Sequence, residues 1–175
     1  KKSVKLKNPE FTCYIEIVNN IGYIGSNRVY GYGGLPVGVS EQAVSLISSG
    51  IDSPVASFEL LKRGVYISYV HFHSFPTTSK QSIDNVKSIL SLLKNYQLQC
   101  PLYIIPLLNI QQEIMKSVPN KYWIIFFRRA MVYLACRVGE NVGASALITG
   151  ENVGQVASQT LTNIRAVADI SSLPI

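Results

Sequence analysis

Short apolar runs alternate with helix-length segments along most of the chain. The runs lie at residues 43–47, 65–72, 102–105 and 146–149, and each is rich in aliphatic or β-branched side chains. Because they are short and largely apolar, they are typical of strands that are covered on both faces. The pattern therefore predicts an α/β fold, in which a parallel sheet carries helices on both faces. In such folds, ligands bind at the carboxyl ends of the strands.

The segment after the second run has the period of an amphipathic helix. Its apolar residues recur at intervals of three and four and mark one buried face: Ile83, Val86, Leu90 and Leu93. Three lysines recur at intervals of seven along one flank of that face: Lys80, Lys87 and Lys94. The lysines are interpreted either as a track for a phosphate backbone or, the favoured alternative, as a solvated edge of the helix.

Residues 1–38 differ in character from the rest of the chain. Residues 11–18 are β-prone, Asn19 and Asn20 are typical of a turn, and residues 21–29 can return as a second strand, so a β-hairpin is predicted. A hairpin alone is marginally stable, and we expect this one to belong to a larger domain that is mostly outside the chain. Glycines and a proline within residues 31–38 predict a linker into the first core strand.

The first core run leads into a loop of small and hydroxylated residues, 48–53, here called the serine loop. A proline follows at position 54, so the sequence predicts a strand, a tight loop and a helix N-terminus. Unpaired N–H groups and the helix dipole favour an anion there, and Ser48 and Ser53 add hydroxyl donors, so a phosphate site is predicted. The alternative is an ordinary helix start that is capped by Asp52 or Ser53.

Residues 122–138 are apolar nearly all round, which predicts a helix that is buried on most sides. Arg128 and Arg129 interrupt its middle, and a buried guanidinium is costly unless it meets an anion. Neighbouring helical residues point about 100° apart, so the two arginines cannot share one role. We expect one at a bound nucleotide and the other at the surface or on a structural carboxylate; the alternative is that both reach solvent.

Residues 149–160, here called the glutamine loop, leave the last predicted strand through Gly150 and Gly154. We expect them to enter a helix that carries Gln155, Ser158 and Gln159. This arrangement would place amide groups at the same edge of the sheet as the serine loop. The alternative is a glycine-rich turn without a functional role.

His71 and His73 alternate along the second core strand and therefore share one face near its carboxyl end. A metal pair is conceivable, but nothing nearby in the sequence supplies a third ligand. Packing of the two imidazoles beside a ligand is the favoured interpretation.

Composition narrows the class of protein. Of 175 residues, 47% are hydrophobic and 15% are charged, which is typical of a globular chain with one core. No apolar run approaches the ~20 residues that span a bilayer, and no signal pattern occurs, so we expect a cytoplasmic protein without a membrane partner. Three widely spaced cysteines favour neither a disulfide framework nor a zinc site. The net charge of +6 suits a polyanion such as RNA but does not require one.

Five blocks together resemble one family. They are residues 33–38, the serine loop with residues 54–56, residues 70–73, Arg128-Arg129, and the glutamine loop. In that order they are similar to the ATP pyrophosphatase (PP-loop) domain of tRNA 4-thiouridine synthetases, the tRNA sulfurtransferases that are also tied to thiamine biosynthesis. The resemblance implies a Rossmann-like adenine nucleotide hydrolase fold over residues 33–175, incomplete at its C-terminal end. Residues 1–32 resemble the end of the RNA-binding THUMP domain.

The resemblance also implies site residues and chemistry. ATP would adenylate the C4 oxygen of a tRNA uridine, and a protein persulfide would then deliver sulfur. Asp52 matches the loop aspartate that adenylation requires, through Mg²⁺ and the phosphates. The ATP contacts that the resemblance implies are Leu46, Ile47, Ser48, Gly50, Ser53, His71, Phe72, Arg128, Gly150 and Gln159. The implied partners are tRNA and a cysteine desulfurase. A small sulfur-carrier protein as a further partner, and a homodimer, are compatible with the resemblance.

Two positions depart from the family pattern. The family has Ser-Gly-Gly where this chain has Ser48-Ser49-Gly50. If position 49 needed a positive φ angle or a close phosphate approach, the serine would weaken ATP binding. A degenerate nucleotide-binding or RNA-binding module without catalysis is therefore the alternative. The sulfur-carrying cysteine of the family is expected beyond this chain, and Cys13, Cys100 and Cys136 do not match its place.

Overall fold

The computed structural model describes residues 4–156 and 159–175. Residues 1–33 and 34–175 form two separate compact units. The second unit contains the elements β3 (Gln42–Leu46), α1 (Asp52–Leu61), β4 (Tyr66–His73), α2 (Gln81–Leu93), β5 (Leu102–Pro106), α3 (Leu108–Ser117), a 3-10 helix (Asn120–Tyr122), α4 (Trp123–Val142), β6 (Ala146–Ile148) and α5 (Leu161–Ala168).

A four-stranded parallel sheet forms the centre of the second unit, with the strand order β5-β4-β3-β6. The predicted strand runs match these strands to within one or two residues. Strand β3 lies between β4 and β6, so the chain leaves β3 toward one side and reaches β6 on the other. The carboxyl end of β3 is therefore a topological switch point, where α/β folds open a crevice for ligands.

Alternate residues of the central strands pack against different helices. On one face, Ala43 and Ile67 share a buried cluster with side chains of α1 and α2, including Leu61 and Leu90. On the other face, Val44 and Val70 share a cluster with side chains of α4 and α5. Helices therefore cover both faces, which confirms the predicted α/β fold.

Helix α2 follows the predicted periodicity, whereas α4 does not follow its predicted burial. In α2, Val86, Leu90 and Leu93 are buried as predicted, whereas Ile83 is half-buried. Lys87 is exposed, and so are Lys80 and Lys94, which flank the helix at its two ends. Helix α4 was expected to be buried on most sides, and this expectation is wrong. Its buried residues form one stripe: Val132, Ala135, Cys136 and Gly139. Three large apolar side chains on α4 are exposed instead, namely Ile124, Phe126 and Tyr133.

The predicted linker is more ordered than its glycine content indicated. Leu35 N–H donates to the Lys62 carbonyl at 2.9 Å, and Gly38 N–H donates to the Gly64 carbonyl at 2.8 Å. Gly34 has a φ angle of +88°, and a Cβ there would lie 2.4 Å from the Lys62 carbonyl oxygen. Residues 34–38 are therefore fixed against the turn that follows α1.

The N-terminal unit contains the predicted antiparallel hairpin, formed by β1 (Tyr14–Val18) and β2 (Ile21–Gly25). Asn19 and Asn20 connect the strands with φ angles of +50° and +64°. Positive φ angles at both turn positions are typical of a two-residue type I′ hairpin turn, and asparagine tolerates them.

No helix within the described residues is long and apolar enough to cross a membrane.

Candidate functional site

The serine loop is held in shape by its own hydroxyl groups. Ser48 N–H donates to Ser53 Oγ at 2.9 Å, and Gly50 N–H donates to Ser48 Oγ at 3.2 Å. The Ser57 hydroxyl lies 2.8 Å from Ser45 Oγ and donates to the Ser53 carbonyl at 2.8 Å. These bonds connect β3 to the start of α1, so the loop is pre-organised at the switch point.

The N-terminus of α1 has no side-chain cap. Its capping position is Ile51, and no side chain accepts a hydrogen bond from the first helical turn. The alternative prediction, in which Asp52 or Ser53 caps the helix, is therefore wrong, because Ser53 Oγ accepts from Ser48 N–H instead. The first N–H groups of a helix have no acceptor within the helix, and an anion can supply one.

Ser49 does not carry the strained backbone that a replaced glycine would leave. The described non-glycine residues with positive φ angles are Asn8, Asn19 and Asn20, and Gly50 has no positive φ angle either. A Cβ at position 50 would lie 3.4 Å from Ser48 Oγ, which is ordinary contact. Neither position requires glycine for its backbone conformation.

A cavity of about 320 Å³ lies between the serine loop, the glutamine loop and α4. Six of the residues implied by the family resemblance line it: Leu46, Ser48, Ser53, Arg128, Gly150 and Gln159. A larger cavity of about 460 Å³ lies along β6, but no residue of the serine loop lines it. The smaller cavity is therefore the one that joins the predicted anion site to the predicted side chains.

Four other implied contacts lie outside the lining of this cavity. Ile47 and His71 belong to the buried side of the sheet beneath α1 and α2, and the two are joined by a 2.9 Å hydrogen bond from His71 Nδ1 to the Ile47 carbonyl. Phe72 packs against the opposite cluster, under α4 and α5. Gly50 lies in the serine loop, in a neighbouring groove.

Gln159 supplies an unpaired acceptor beside the cavity. Its side-chain oxygen Oε1 is buried and has no hydrogen-bond partner among the described residues. A buried acceptor without a donor is unfavourable by about 1–3 kcal/mol. A ligand that donates an N–H or O–H group in the cavity would remove this cost.

Gly150 brings the glutamine loop into contact with α1. A Cβ at position 150 would lie 2.3 Å from Ser53 N and 2.7 Å from the Asp52 carbonyl carbon. These are backbone atoms of the first helical turn and cannot move aside independently. Only glycine allows the two loops to approach this closely.

Arg128 faces the cavity and donates to the carboxylate of Glu151. Partial burial lowers the pKa of the Arg128 guanidinium, although arginine stays charged at neutral pH. Arg129 donates to the Ala166 carbonyl near the end of α5. The expectation that the second arginine meets the surface or a carboxylate is wrong, because a backbone carbonyl is its partner.

The glutamine loop precedes its helix instead of forming part of it. Helix α5 begins at Leu161, so Gln155 and Gln159 lie in the loop, and Ser158 lies outside the described residues. Two members of this loop, Glu151 and Asn152, make contacts that were not predicted from the sequence. An acidic residue shortly after a core strand, together with an arginine in the middle of an apolar helix, was the signal that could have identified Glu151.

Asp52 is joined to the glutamine loop by a side-chain hydrogen bond. Asn152 Nδ2 donates to Asp52 Oδ1 at 3.0 Å, although the residues are 100 positions apart. Asp52 is the first residue of α1, and its side chain is half-buried. The carboxylate therefore joins the end of the serine loop to the glutamine loop, although Asp52 is not among the residues that line the cavity.

Histidine and cysteine provide no metal centre in the described part of the chain. No three His, Cys, Asp or Glu side chains there cluster closely enough to hold a metal ion. Cys13, Cys100 and Cys136 are free thiols, exposed, half-buried and buried respectively. Cys136 belongs to the core, as its apolar helix indicated.

The sequence is similar to proteins with a described function. The sequence model of the family described as "Thiamine biosynthesis protein (ThiI)" matches residues 38–175. A "Probable tRNA sulfurtransferase" of Brevibacillus brevis is 42% identical over 173 residues, which are 99% of this chain and 43% of the relative. A protein of the same description from Thermotoga maritima is 44% identical, and the match covers 45% of that protein's length. The chain thus spans less than half the length of these curated relatives.

Two solved structures are similar to this chain. One is a crystal structure of a 4-thiouridine synthetase in complex with RNA and bound ATP, with a TM-score of 0.87 and 44% sequence identity. The match covers 98% of this chain and 45% of the chain in that structure. The PH1313 protein of Pyrococcus horikoshii has a TM-score of 0.69 at 21% identity, with 97% of this chain and 46% of its own covered. The second likeness concerns the fold alone.

Proposed function

Because the chain belongs to the ThiI family of thiamine biosynthesis proteins, we propose that it supplies the ATP-binding, adenylating part of a tRNA 4-thiouridine synthetase. Residues 33–175 would be the ATP pyrophosphatase domain, and residues 1–32 the end of a THUMP domain. The related 4-thiouridine synthetase, crystallised with RNA and ATP, supports the assignment of both ligands.

One observation carries the proposal, namely the uncapped N-terminus of α1 at the switch point beside the 320 Å³ cavity. Phosphate oxygens fit the free N–H groups and the positive end of the helix dipole. The rest of the nucleotide fits the cavity, whose unpaired Gln159 Oε1 can accept a hydrogen bond from it. The residues present therefore fit ATP.

Different residues would hold different parts of the nucleotide. Ser48 and Ser53, with the loop backbone, would bind phosphate oxygens, and Leu46 would contact the base or sugar. Arg128 would stabilise negative charge at the α-phosphate, where adenylation concentrates it. His71 and Phe72 lie near the carboxyl end of β4 on opposite faces of the sheet and would support the site by packing.

Mg²⁺ is also implied, and the site offers a suitable ligand. Carboxylate oxygen is a preferred ligand for this cation, which usually binds one or two carboxylates together with substrate phosphates. The Asp52 carboxylate belongs to the end of the serine loop, where the phosphates would bind. When bound, the ion would neutralise charge on the phosphates.

The proposed reaction has two stages. The C4 oxygen of the uridine attacks the α-phosphorus of ATP, and pyrophosphate leaves with the electrons of the broken P–O bond. The terminal sulfur of a protein persulfide then attacks C4 and displaces AMP, and a second thiol cleaves the sulfur–sulfur bond. A cysteine desulfurase is the proposed persulfide source, with a small sulfur carrier as an intermediate donor, and the proposed site of action is the cytoplasm.

Pyrophosphate release from ATP in the presence of tRNA tests the adenylation step. We expect Asp52→Asn to abolish release in the full-length protein while the melting temperature stays unchanged, because the shape is kept and the charge is lost. Asp84→Asn, at an exposed aspartate of α2, is the matched control and should remain active. Wild-type release by Asp52→Asn would refute the role of this carboxylate.

The same assay separates catalysis from the alternative of a degenerate module. That alternative depended on a strained or obstructive Ser49, and the backbone at this position has no positive φ angle. A wild-type protein that binds ATP and tRNA without releasing pyrophosphate would favour the alternative.

A further inference from the structure

Asn152 contacts the carboxylate on which the proposed adenylation depends. Its Nδ2 donates to Asp52 Oδ1 at 3.0 Å, while the other oxygen, Oδ2, has no partner among the described residues. We propose that Asn152 is a positioning residue, which holds Asp52 so that Oδ2 is directed to a Mg²⁺ ion on the ATP phosphates. This inference rests on the proposed function, since it assumes that Asp52 serves Mg²⁺·ATP.

The two residues that precede Asn152 are both held in place, and this restricts the position of its side-chain amide. Gly150 lies against the first turn of α1, where a Cβ would be 2.3 Å from Ser53 N. Glu151 is ion-paired with Arg128 of α4, and both side chains are largely shielded from solvent. Two consecutive anchors therefore place the next residue, Asn152, over the carboxylate of Asp52.

An asparagine amide suits this position because it donates a hydrogen bond without adding charge. A lysine would neutralise Asp52 and compete with a cation, and an aspartate would repel it. An aspartate side chain at a helix start is otherwise free to rotate about two bonds. Fixing one oxygen removes that freedom before the ion binds, and less entropy is lost on binding.

The structure predicts a specific kinetic signature in the full-length protein. Because the hydrogen bond to a charged carboxylate is lost, Asn152→Ala should lower kcat for pyrophosphate release by about tenfold. The KM for ATP in the presence of Mg²⁺ should rise as well, because the same carboxylate contributes to binding of the ion, and the Mg²⁺ concentration for half-maximal rate should rise. Asn152→Asp keeps the size, loses the donor, and should lose at least as much. Asn85→Ala is the matched control, because Asn85 is also exposed and also shares one side-chain hydrogen bond, with Gln81.

Calorimetry provides a second readout that does not need turnover. Mg²⁺ should raise the ATP affinity of the wild type, and Asn152→Ala should lose most of that gain while binding of ATP without Mg²⁺ is unchanged. In an Asp52→Asn background, Asn152→Ala should have no further effect, because its partner is already absent.

Three outcomes would overturn the inference. They are a wild-type kcat and Mg²⁺ response in both Asn152 variants, an equal loss of ATP affinity with and without Mg²⁺, or an additive effect in the Asp52→Asn background. The second outcome would assign Asn152 to loop packing alone. Failure of the proposed function is distinguishable, since the wild type itself would then release no pyrophosphate, while the calorimetric comparison would still test Asn152.

Discussion

At position 150 the structure leaves no room for a side chain. A Cβ would lie 2.3 Å from Ser53 N and 2.6 Å from Ser53 Cα, and these atoms belong to the start of α1. We expect Gly150→Ala to lower the free energy of unfolding by about 1–3 kcal/mol, as overpacked substitutions do. Denaturant unfolding measures this change, and calorimetry should show weaker ATP binding as the two loops separate.

Gly50→Ala is the stability control for that substitution. Its Cβ would lie 3.4 Å from Ser48 Oγ and meets no backbone atom within 4 Å. Its unfolding free energy should stay close to that of the wild type. If the two alanine substitutions lowered the free energy of unfolding equally, the close contact between Gly150 and α1 would not be the cause.

Ser49 provides the second prediction at the residue scale. Sequence comparison alone suggested that Ser49→Gly would relieve strain and tighten ATP binding, but Ser49 is not among the described residues with a positive φ angle. Without strain to relieve, glycine only adds freedom to the unfolded chain. We expect Ser49→Gly to destabilise the fold by about 0.4–1 kcal/mol and not to tighten ATP binding in calorimetry. A clear gain in affinity would instead show that the serine side chain obstructs the ligand.

At the scale of elements, α4 places its two adjacent arginines in different structures. Arg128 meets Glu151 at the cavity, whereas Arg129 donates to the Ala166 carbonyl of α5. We expect Arg129→Met to destabilise the protein by about 1–3 kcal/mol, because the half-buried carbonyl loses its charged donor. Arg129→Met should change the ATP affinity little, whereas Arg128→Met should weaken ATP binding.

Thermal unfolding and calorimetry on the two variants measure these opposite patterns. Arg137→Met is the control, since Arg137 is an exposed residue of α4 that pairs with Glu140 at 2.6 Å. Surface ion pairs contribute about 0–1 kcal/mol. If Arg129→Met behaved like Arg137→Met, the bond to α5 would not contribute to stability.

Sequence periodicity predicted the elements well because each depends on its own residues. The four core strands and the buried stripe of α2 follow from runs and spacings within a single segment. The exposed face of α4 was not predictable in this way, because apolar character does not specify how many neighbours pack against a helix.

The candidate site was predictable only in part, for a physical reason. The serine loop is contiguous, so its geometry could be inferred from local sequence. The bonds between Arg128 and Glu151 and between Asp52 and Asn152 join residues 23 and 100 positions apart. Such pairs depend on the order of strands in the sheet, which alternation alone does not determine.

At the scale of the whole molecule, charge is expected to govern the binding of tRNA. The chain carries a net charge of +6, and lysines occur both in the N-terminal unit and on α2. Lys5 and Lys7 are exposed in the N-terminal unit, and Lys1 and Lys2, which belong to the same group, lie outside the described residues. Lys80, Lys87 and Lys94 are exposed along α2, so both groups are open to solvent.

We expect this chain to bind tRNA weakly and with a steep dependence on salt. Each phosphate contact contributes about 0.7–0.9 to the slope of log K against log salt concentration. Lys5→Ala with Lys7→Ala should therefore reduce the slope by up to about two, whereas the triple alanine variant at Lys80, Lys87 and Lys94 should leave it unchanged. Filter binding or fluorescence anisotropy at several salt concentrations measures both slopes. A reduced slope in the triple variant would identify α2 as a phosphate track, and tight binding that ignores salt would place tRNA recognition in uncharged contacts of the catalytic domain.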